Sequence, residues 1–161
     1  MAYAGKIKFL GYGFYKGKKG FALRVHAKSK AKMKARVREL TSRRKVNDYD
    51  KWKVDLKRYV VGWVNYYKLA DMGIYLQSID EWMRRRIRMV FWKKWKRVRT
   101  RWRNLLKLGI SNTNAGILAN SRKGYWRVAN SPILKTALAN QRLEKAGFQF
   151  FNSYYRKSVA A

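Results

Sequence analysis

Apolar side chains recur every three or four residues over most of the chain, which is the spacing of an α-helix. Residues 50–69 carry a broad apolar face of Trp, Leu, Val and Tyr, and residues 80–98 repeat the pattern. The second of these helices could begin as early as Ile74. In all, the spacing predicts helices over residues 29–40, 50–69, 80–98, 104–108, 112–119 and 132–145.

Helix-start residues precede several of these segments. Asp48 or Asp50 can cap the helix that follows it, and Ser131 with Pro132 is a typical helix start. Asp80 opens the most basic helix, where an acid suits the positive end of the helix dipole.

The first 27 residues have a different pattern. Residues 6–15 and 21–26 are rich in aromatic and branched side chains, and the glycine-flanked stretch 17–20 lies between them. This arrangement predicts a β-hairpin. The aromatic residues 148–155 predict a final strand or a short helix. The fold class is therefore mainly α: a short N-terminal β-hairpin, a helical bundle and a second set of short helices.

Residues 80–103 hold four of the seven tryptophans and are densely basic. At 100° per residue, the predicted buried face consists of Met83, Ile87, Val90, Phe91, Trp95 and Val98. The opposite, presented face consists of Arg85, Arg88, Trp92, Lys96 and Arg99. Like charges at this spacing repel by a few tenths of a kcal/mol per pair. A solvated amphipathic helix would fit the pattern, but the charge density favours an anionic partner.

The whole chain is also basic. It carries 40 Lys and Arg residues against 8 acids, a net charge of +32, while 47% hydrophobic residues favour a folded protein. Nucleic acid is the first expected partner and an anionic membrane surface the second. No apolar window is long enough for a signal peptide or a membrane span, so we expect a cytoplasmic or nucleoid protein. The absence of cysteine excludes disulfides and thiolate metal sites.

Signals for catalysis are weak. The single histidine, His26, lies at a strand end, where a structural or surface role is expected. The acids at 48, 50 and 55 fit a helix start better than a metal site, and no glycine loop of the phosphate-binding type is present. We predict no catalytic residue, no metal and no cofactor.

Signals for nucleic-acid binding are strong, because basic residues that can neutralise phosphates alternate with aromatic rings that can stack on bases. They concentrate in the presented helix face, in loop 43–45 and in residues 122–127. The predicted RNA-binding residues are Arg43, Arg44, Lys45, Arg85, Arg88, Trp92, Lys96, Arg99, Arg122, Lys123, Tyr125 and Arg127. Each region could instead be a solvated charge cluster around a structural ring. Trp92 and Tyr125 stay open between packing and stacking, while Trp63, Trp95 and Trp126 are assigned to the core.

Several sequence segments, in order, carry a family resemblance. They are FLGYGFYKGKKGFALRV (9–25), RELTSR (38–43), GWVNYYKLADM (62–72), DEWMRRRIRMVFWKKWK (80–96), RNLLKLGI (103–110), NSRKGYWRVANSPIL (120–134) and LEKAGF (143–148). Together they resemble the C-terminal part of group II intron-encoded reverse transcriptase/maturases. The resemblance implies the end of the polymerase palm in residues 1–27, the maturase X or thumb domain in 28–99, and a basic nucleic-acid-binding segment in 100–161.

The resemblance further implies a protein that binds folded group II intron RNA and assists its splicing. Target DNA, a template–primer duplex or the rest of a reverse transcriptase are further partners that it implies, in a bacterial cytoplasm or an organelle. The alternatives are a sequence-tolerant or target-DNA-binding domain of a retroelement, and a decayed intron-protein fragment.

The sequence departs from the family in three respects. It contains neither the Tyr-x-Asp-Asp tetrapeptide of the polymerase nor the Cys and His residues of the endonuclease, so we predict that the chain is not an enzyme by itself. Residues 97–101 also lack the proline that many relatives carry, which leaves a helix break there undetermined.

Overall fold

The computed structural model of the chain describes residues 8–17 and 20–160. It begins with an antiparallel sheet in the order β1-β2-β3 and continues with helices, which confirms the predicted fold class. The strands are β1 (Lys8–Phe9), β2 (Tyr12–Gly17) and β3 (Gly20–Val25). Phe9 pairs with Tyr12 and Tyr12 pairs with Val25, which fixes the register.

A turn at Leu10 and Gly11 divides the first predicted strand in two. Both residues have positive φ, at 48° and 85°. A side chain at Gly11 would also collide with the Tyr67 hydroxyl and come within 3.0 Å of Ser29 Oγ, so this position favours glycine. The start of that predicted strand at Lys6 and the centre of the predicted 17–20 turn lie outside the described residues.

Helices occupy most of the remaining chain because apolar periodicity and capping residues coincide. They are α1 (Ala27–Leu40), α2 (Tyr49–Tyr67), α3 (Gly73–Lys94), α4 (Val98–Lys107), α5 (Asn112–Ala119), α6 (Tyr125–Val128), α7 (Pro132–Ala137), α8 (Asn140–Lys145) and α9 (Phe151–Ala160).

Capping groups fix several helix starts. The Asp48 carboxylate accepts hydrogen bonds from two backbone N–H groups of α2, and Ser131 Oγ accepts one from the Leu134 N–H of α7, as predicted. His26 Nδ1 accepts a hydrogen bond from the Lys28 N–H at 3.2 Å. The single histidine therefore has a structural role as the cap of α1.

The predicted helix over residues 80–98 is interrupted. It ends at Lys94, and Val98, predicted to be buried, is exposed at the start of α4. The Trp95 carbonyl leaves the helical pattern and accepts a hydrogen bond from Arg101 Nε at 2.9 Å. A basic side chain thus stabilises the helix break, in a stretch that contains no proline.

The C-terminal third differs from its prediction in one further place. The helix predicted over residues 132–145 breaks at Leu138, whose ψ of 60° is not helical, and therefore forms α7 and α8. Of the two alternatives predicted for the aromatic stretch 148–155, the structure has the helix: α9 starts at Phe151.

One core cluster extends from Val25 to Phe151 and includes residues of both predicted helical segments. The helix α9 packs on α2 and α3, and the edge of the Phe151 ring meets Trp63 at 5.6 Å between ring centroids. The predicted domain boundary between residues 99 and 100 stays a prediction. Across that boundary, α9 completes the core that α2 and α3 form.

Asp80 holds α9 in this position. It was predicted at a helix start, but it lies within α3 and is 1% exposed. Its two carboxylate oxygens accept hydrogen bonds from the N–H groups of Phe151 and Asn152, at 2.8 and 2.9 Å. Burial raises the pKa of Asp80 to about 6, although these bonds and the charge of Arg84 oppose the shift. Asp80 therefore caps another helix, 71 residues further along the chain.

Candidate nucleic-acid interface

The three segments with predicted binding residues meet at Tyr125, the first residue of α6. The Arg43 guanidinium carbon, from the loop between α1 and α2, lies 4.9 Å from the centroid of the Tyr125 ring. Lys93 Nζ, from α3, lies 5.1 Å from the same centroid and 3.5 Å from the hydroxyl oxygen. Cation–π attraction favours this arrangement. We call Arg43, Lys93 and Tyr125 the Tyr125 cluster.

A cleft opens beside the Tyr125 cluster, between the start of α4 and residues 120–124. Its described lining includes the basic side chains of Arg101, Arg122 and Lys123 and no acid. Arg122 and Lys123 are exposed, so both charges are accessible to a ligand. We call this the α4 cleft. An open, acid-free concavity with several cations next to a half-buried ring is suited to a phosphate backbone.

Most of the remaining basic residues of the prediction lie on the surface. Those that are exposed without a described ion pair are Arg44, Lys96, Arg99 and Arg127. Lys45 is exposed too, but its Nζ lies 3.5 Å from Glu39 Oε1, so part of its charge is compensated. The charge of Lys45 is therefore less available to a ligand than that of its neighbour Arg44.

Two residues predicted on the presented face of α3 are buried instead. Arg88 is 5% exposed and Trp92 is 1% exposed. Arg88 donates hydrogen bonds to the Leu138 carbonyl at 3.0 Å and to Asn140 Oδ1 at 3.1 Å, while the Arg101 guanidinium covers the Trp92 ring. The prediction was wrong because it assumed one buried face, whereas α6 and the end of α7 cover the second. Trp92 packs in the core.

Arg85 is partly exposed, but its guanidinium is already engaged. Both Nε and Nη2 donate to the Trp126 carbonyl, and the guanidinium carbon lies 3.9 Å from the centroid of the Trp126 ring. Trp126 was assigned to the core and is 38% exposed, so that assignment was wrong. Trp63 is buried as predicted, and Trp95 is half-buried against the core.

Two basic residues of the interface were missed by the sequence reasoning. Lys93 lies eight residues after Arg85, which is 80° around α3 at 100° per residue, so the helical spacing placed it between the two predicted faces and gave no clear signal. Arg101 gave no periodic signal, because its contact with the Trp95 carbonyl depends on the break between α3 and α4.

Positive charge is least compensated in the second half of the chain. After Glu81 the sequence contains a single acid, Glu144, whose Oε1 lies 3.6 Å from Arg84 Nη2. The end of α3, the start of α4 and residues 120–127 therefore contribute an electrostatic field that attracts polyanions.

Within residues 8–17 and 20–160, no group of three or more His, Asp or Glu side chains could hold a metal ion. No helix in that part of the chain is both long and apolar enough to cross a membrane.

Residues 30–109 match the family model described as group II intron, maturase-specific domain. The chain carries a group II intron maturase-specific domain. A search of curated proteins found no match. The maturase-specific domain is non-catalytic, which agrees with the prediction that the chain is not an enzyme by itself.

The maturase-specific domain contributes only part of the candidate interface. Its matched region begins within α1 and ends just after α4, so it provides Arg43, Lys93 and Arg101. Tyr125 and the residues of the loop before it lie beyond the match. The interface is therefore built jointly by the maturase-specific domain and the segment that follows it.

Proposed function

We propose that this protein binds folded group II intron RNA through the Tyr125 cluster and the α4 cleft, and thereby assists splicing of that RNA. The family of residues 30–109 supports the choice of intron RNA. The reaction itself is assigned to the RNA, and the protein stabilises the fold in which the RNA is active.

The convergence of segments at Tyr125 is the observation that carries the proposal. Arg43 and Tyr125 are 82 positions apart in the sequence, yet cations from two other segments flank one ring. The α4 cleft next to it offers Arg122 and Lys123 to solvent. Cations beside a half-buried ring can bind a phosphate and an unpaired base of one strand at the same time.

The stabilising effect follows from charge neutralisation. A compact RNA fold brings phosphates together, and their repulsion opposes folding. Basic side chains held in fixed positions by a packed protein reduce that repulsion only where the spacing of phosphates matches theirs. A protein of this kind favours the compact RNA over its extended states, which is how binding can promote splicing without a catalytic residue.

The test is a competition at fixed salt near 150 mM, a physiological ionic strength. Labelled intron RNA bound to the protein is challenged with unlabelled intron RNA, duplex DNA and an unrelated structured RNA. We expect intron RNA to compete best. Equal competition by all three would reject the proposal, and stronger competition by duplex DNA would favour the target-DNA alternative.

A pair of variants tests the surface. Replacing Arg122 and Lys123 with Gln should weaken RNA binding and reduce the slope of log affinity against log salt by about 1.4–1.8, because each phosphate contact contributes about 0.7–0.9. The matched control replaces Lys57, an exposed lysine of α2 outside both features, and should change neither quantity. An unchanged slope in the Arg122 and Lys123 variant would place the binding surface elsewhere.

A further inference from the structure

A second cleft lies between α3 and the chain that runs from α6 to α8. Its volume is about 570 Å³, within the range of roughly 300–1,000 Å³ that small ligands occupy. Two indole rings, Trp82 and Trp126, line it together with four basic side chains. The basic side chains are Arg84, Arg85, Arg88 and Lys135. None of the features proposed above uses this cleft.

The cleft holds more positive charge than its surroundings balance. Glu81 is the acid that lines it. Arg88 is buried, and no carboxylate among the described residues lies within 4.0 Å of it. Burial, and after it the charge of Arg84, lowers the pKa of Arg88. A buried cation without a counter-ion is unfavourable, so an anion entering the cleft would be stabilised.

Arg84 is a further cation at this cleft, and its charge is partly compensated because its Nη2 lies 3.6 Å from Glu144 Oε1. Its side chain is 15% exposed, and its Nε is a buried donor without an acceptor among the described residues. The same guanidinium lies 4.5 Å from the centroid of the Phe150 ring, which holds it against the core. The Arg84 guanidinium is therefore a fixed cation at the wall of the cleft.

The two indoles are held in place by cations. Arg85 binds the Trp126 carbonyl and covers its ring, while the guanidinium carbons of Arg38 and Arg86 lie 5.8 and 5.3 Å from the centroid of the Trp82 ring. Trp126 still exposes 38% of its surface. Rings that are already fixed lose little conformational freedom when a base stacks on them.

We infer that this cleft binds a single unpaired nucleotide, with its phosphate among the basic side chains and its base against an indole ring. The side-chain amides of Asn130 and Asn140, which also line the cleft, can exchange hydrogen bonds with the edge of a base. A base inside a duplex cannot reach such a cleft, so the site selects nucleotides that have left the stack. The proposal rests on the proposed function only for the source of the nucleotide, which is the bound RNA.

The experiment records the indole N–H signals of the full chain by NMR while adenosine 5′-monophosphate is added to saturation. We expect saturable shifts at Trp82 and Trp126. Trp102 on α4 is an internal control, because it is 37% exposed but does not line the cleft. Equal shifts at Trp102 would overturn the proposal. Identical indole shifts with inorganic phosphate at the same ionic strength would also overturn it, since they would indicate a site for the anion alone.

Two variants test the assignment of roles. Trp126→Leu should weaken binding of the nucleotide by about tenfold, the order of effect of one lost stacking contact. Lys135→Gln, an exposed position that leaves the core intact, should weaken binding of both nucleotide and inorganic phosphate. The control Lys107→Gln, on α4, should change neither. Unchanged nucleotide affinity in a folded Lys135→Gln protein would contradict the phosphate position.

The outcome is independent of the competition with intron RNA. A preference for intron RNA without indole shifts would leave the proposed function intact and reject the cleft. Indole shifts together with equal competition by all three nucleic acids would support the cleft and reject the maturase function.

Discussion

Two arginine-rich runs, residues 84–88 on α3 and residues 97–103 around the start of α4, have similar charge and different roles. In the first run, three guanidinium groups donate hydrogen bonds to backbone carbonyls of other segments. In the second run, Arg101 donates to the carbonyl of Trp95. The other three arginines of the second run, Arg97, Arg99 and Arg103, are exposed.

The difference shows that a dense basic run does not by itself identify a ligand-binding surface. A guanidinium group has five N–H donors and can satisfy carbonyls at the ends of neighbouring helices, which would otherwise lack a partner. Arg86 does this at the end of α1, where its Nη2 donates to the Arg38 carbonyl at 3.1 Å. Arginines on a helix that several segments surround bond to carbonyls of the same protein. Arginines on a helix with few neighbours stay available to a partner.

The largest expected effect is a loss of stability when a buried arginine of the first run is replaced. Without this loss, the two runs would not differ in role. Arg88→Ala should lower the free energy of unfolding by about 2–4 kcal/mol, because it leaves a cavity and a buried Leu138 carbonyl without its donor. Arg99→Ala, on the exposed run, should change it by no more than about 0.5 kcal/mol. Urea unfolding of the two variants measures both values. Equal losses would show that the two runs have the same role.

A pH-dependent effect comes next. The folded protein binds the Asp80 proton more tightly than the unfolded chain, because the pKa of Asp80 is about 6 in the fold against an ordinary value of 3.8 for an aspartate. The contribution of Asp80 to the free energy of unfolding should therefore decrease by up to about 3 kcal/mol as the pH rises from about 4 to 6. Above that range it should stay constant. The measurement is urea unfolding of the natural protein and of Asp80→Asn at pH 4 and pH 7.

The difference between the two proteins isolates the Asp80 carboxyl from all other titrating groups. Between pH 4 and pH 7, we expect the natural protein to lose stability relative to Asp80→Asn. A constant difference would mean that the two N–H bonds from α9 and the charge of Arg84 balance the burial of the carboxylate, so that folding does not change the pKa of Asp80.

The smallest effect on stability belongs to the second run. Replacing Arg97, Arg99 and Arg103 with Gln should leave the thermal unfolding temperature nearly unchanged, since the three side chains are exposed. If all three contact phosphates, the salt slope of RNA binding should fall by about 2–3. Arg86→Gln is the contrasting control from the first run, where a lower unfolding temperature and an unchanged slope are expected.

Features that depend on residues close together in the sequence could be predicted. The starts of α2 and α7 follow from Asp48 and Ser131, whose side chains cap the next turn. The break between α3 and α4 could not be predicted, because the hydrogen bond between Arg101 and the Trp95 carbonyl leaves no mark in the periodicity.

The candidate site was predicted in the same uneven way. The loop containing Arg43 and the segment containing Tyr125 were both identified by composition, but only the fold brings them together. The burial of Arg88 and Trp92 was missed because the spacing of apolar residues shows one face of a helix and not how many neighbours surround it.

The return of α9 to α2 and α3 has a consequence for biosynthesis. The chain leaves the ribosome from its N-terminus, at about 5–20 residues per second in general. Phe151 and the Asp80 cap can therefore reach their places only several seconds after α3 is complete. Until then Trp63 lacks its edge-on contact with the Phe151 ring. A nascent protein with this order of contacts therefore exposes part of its core until α9 has been made.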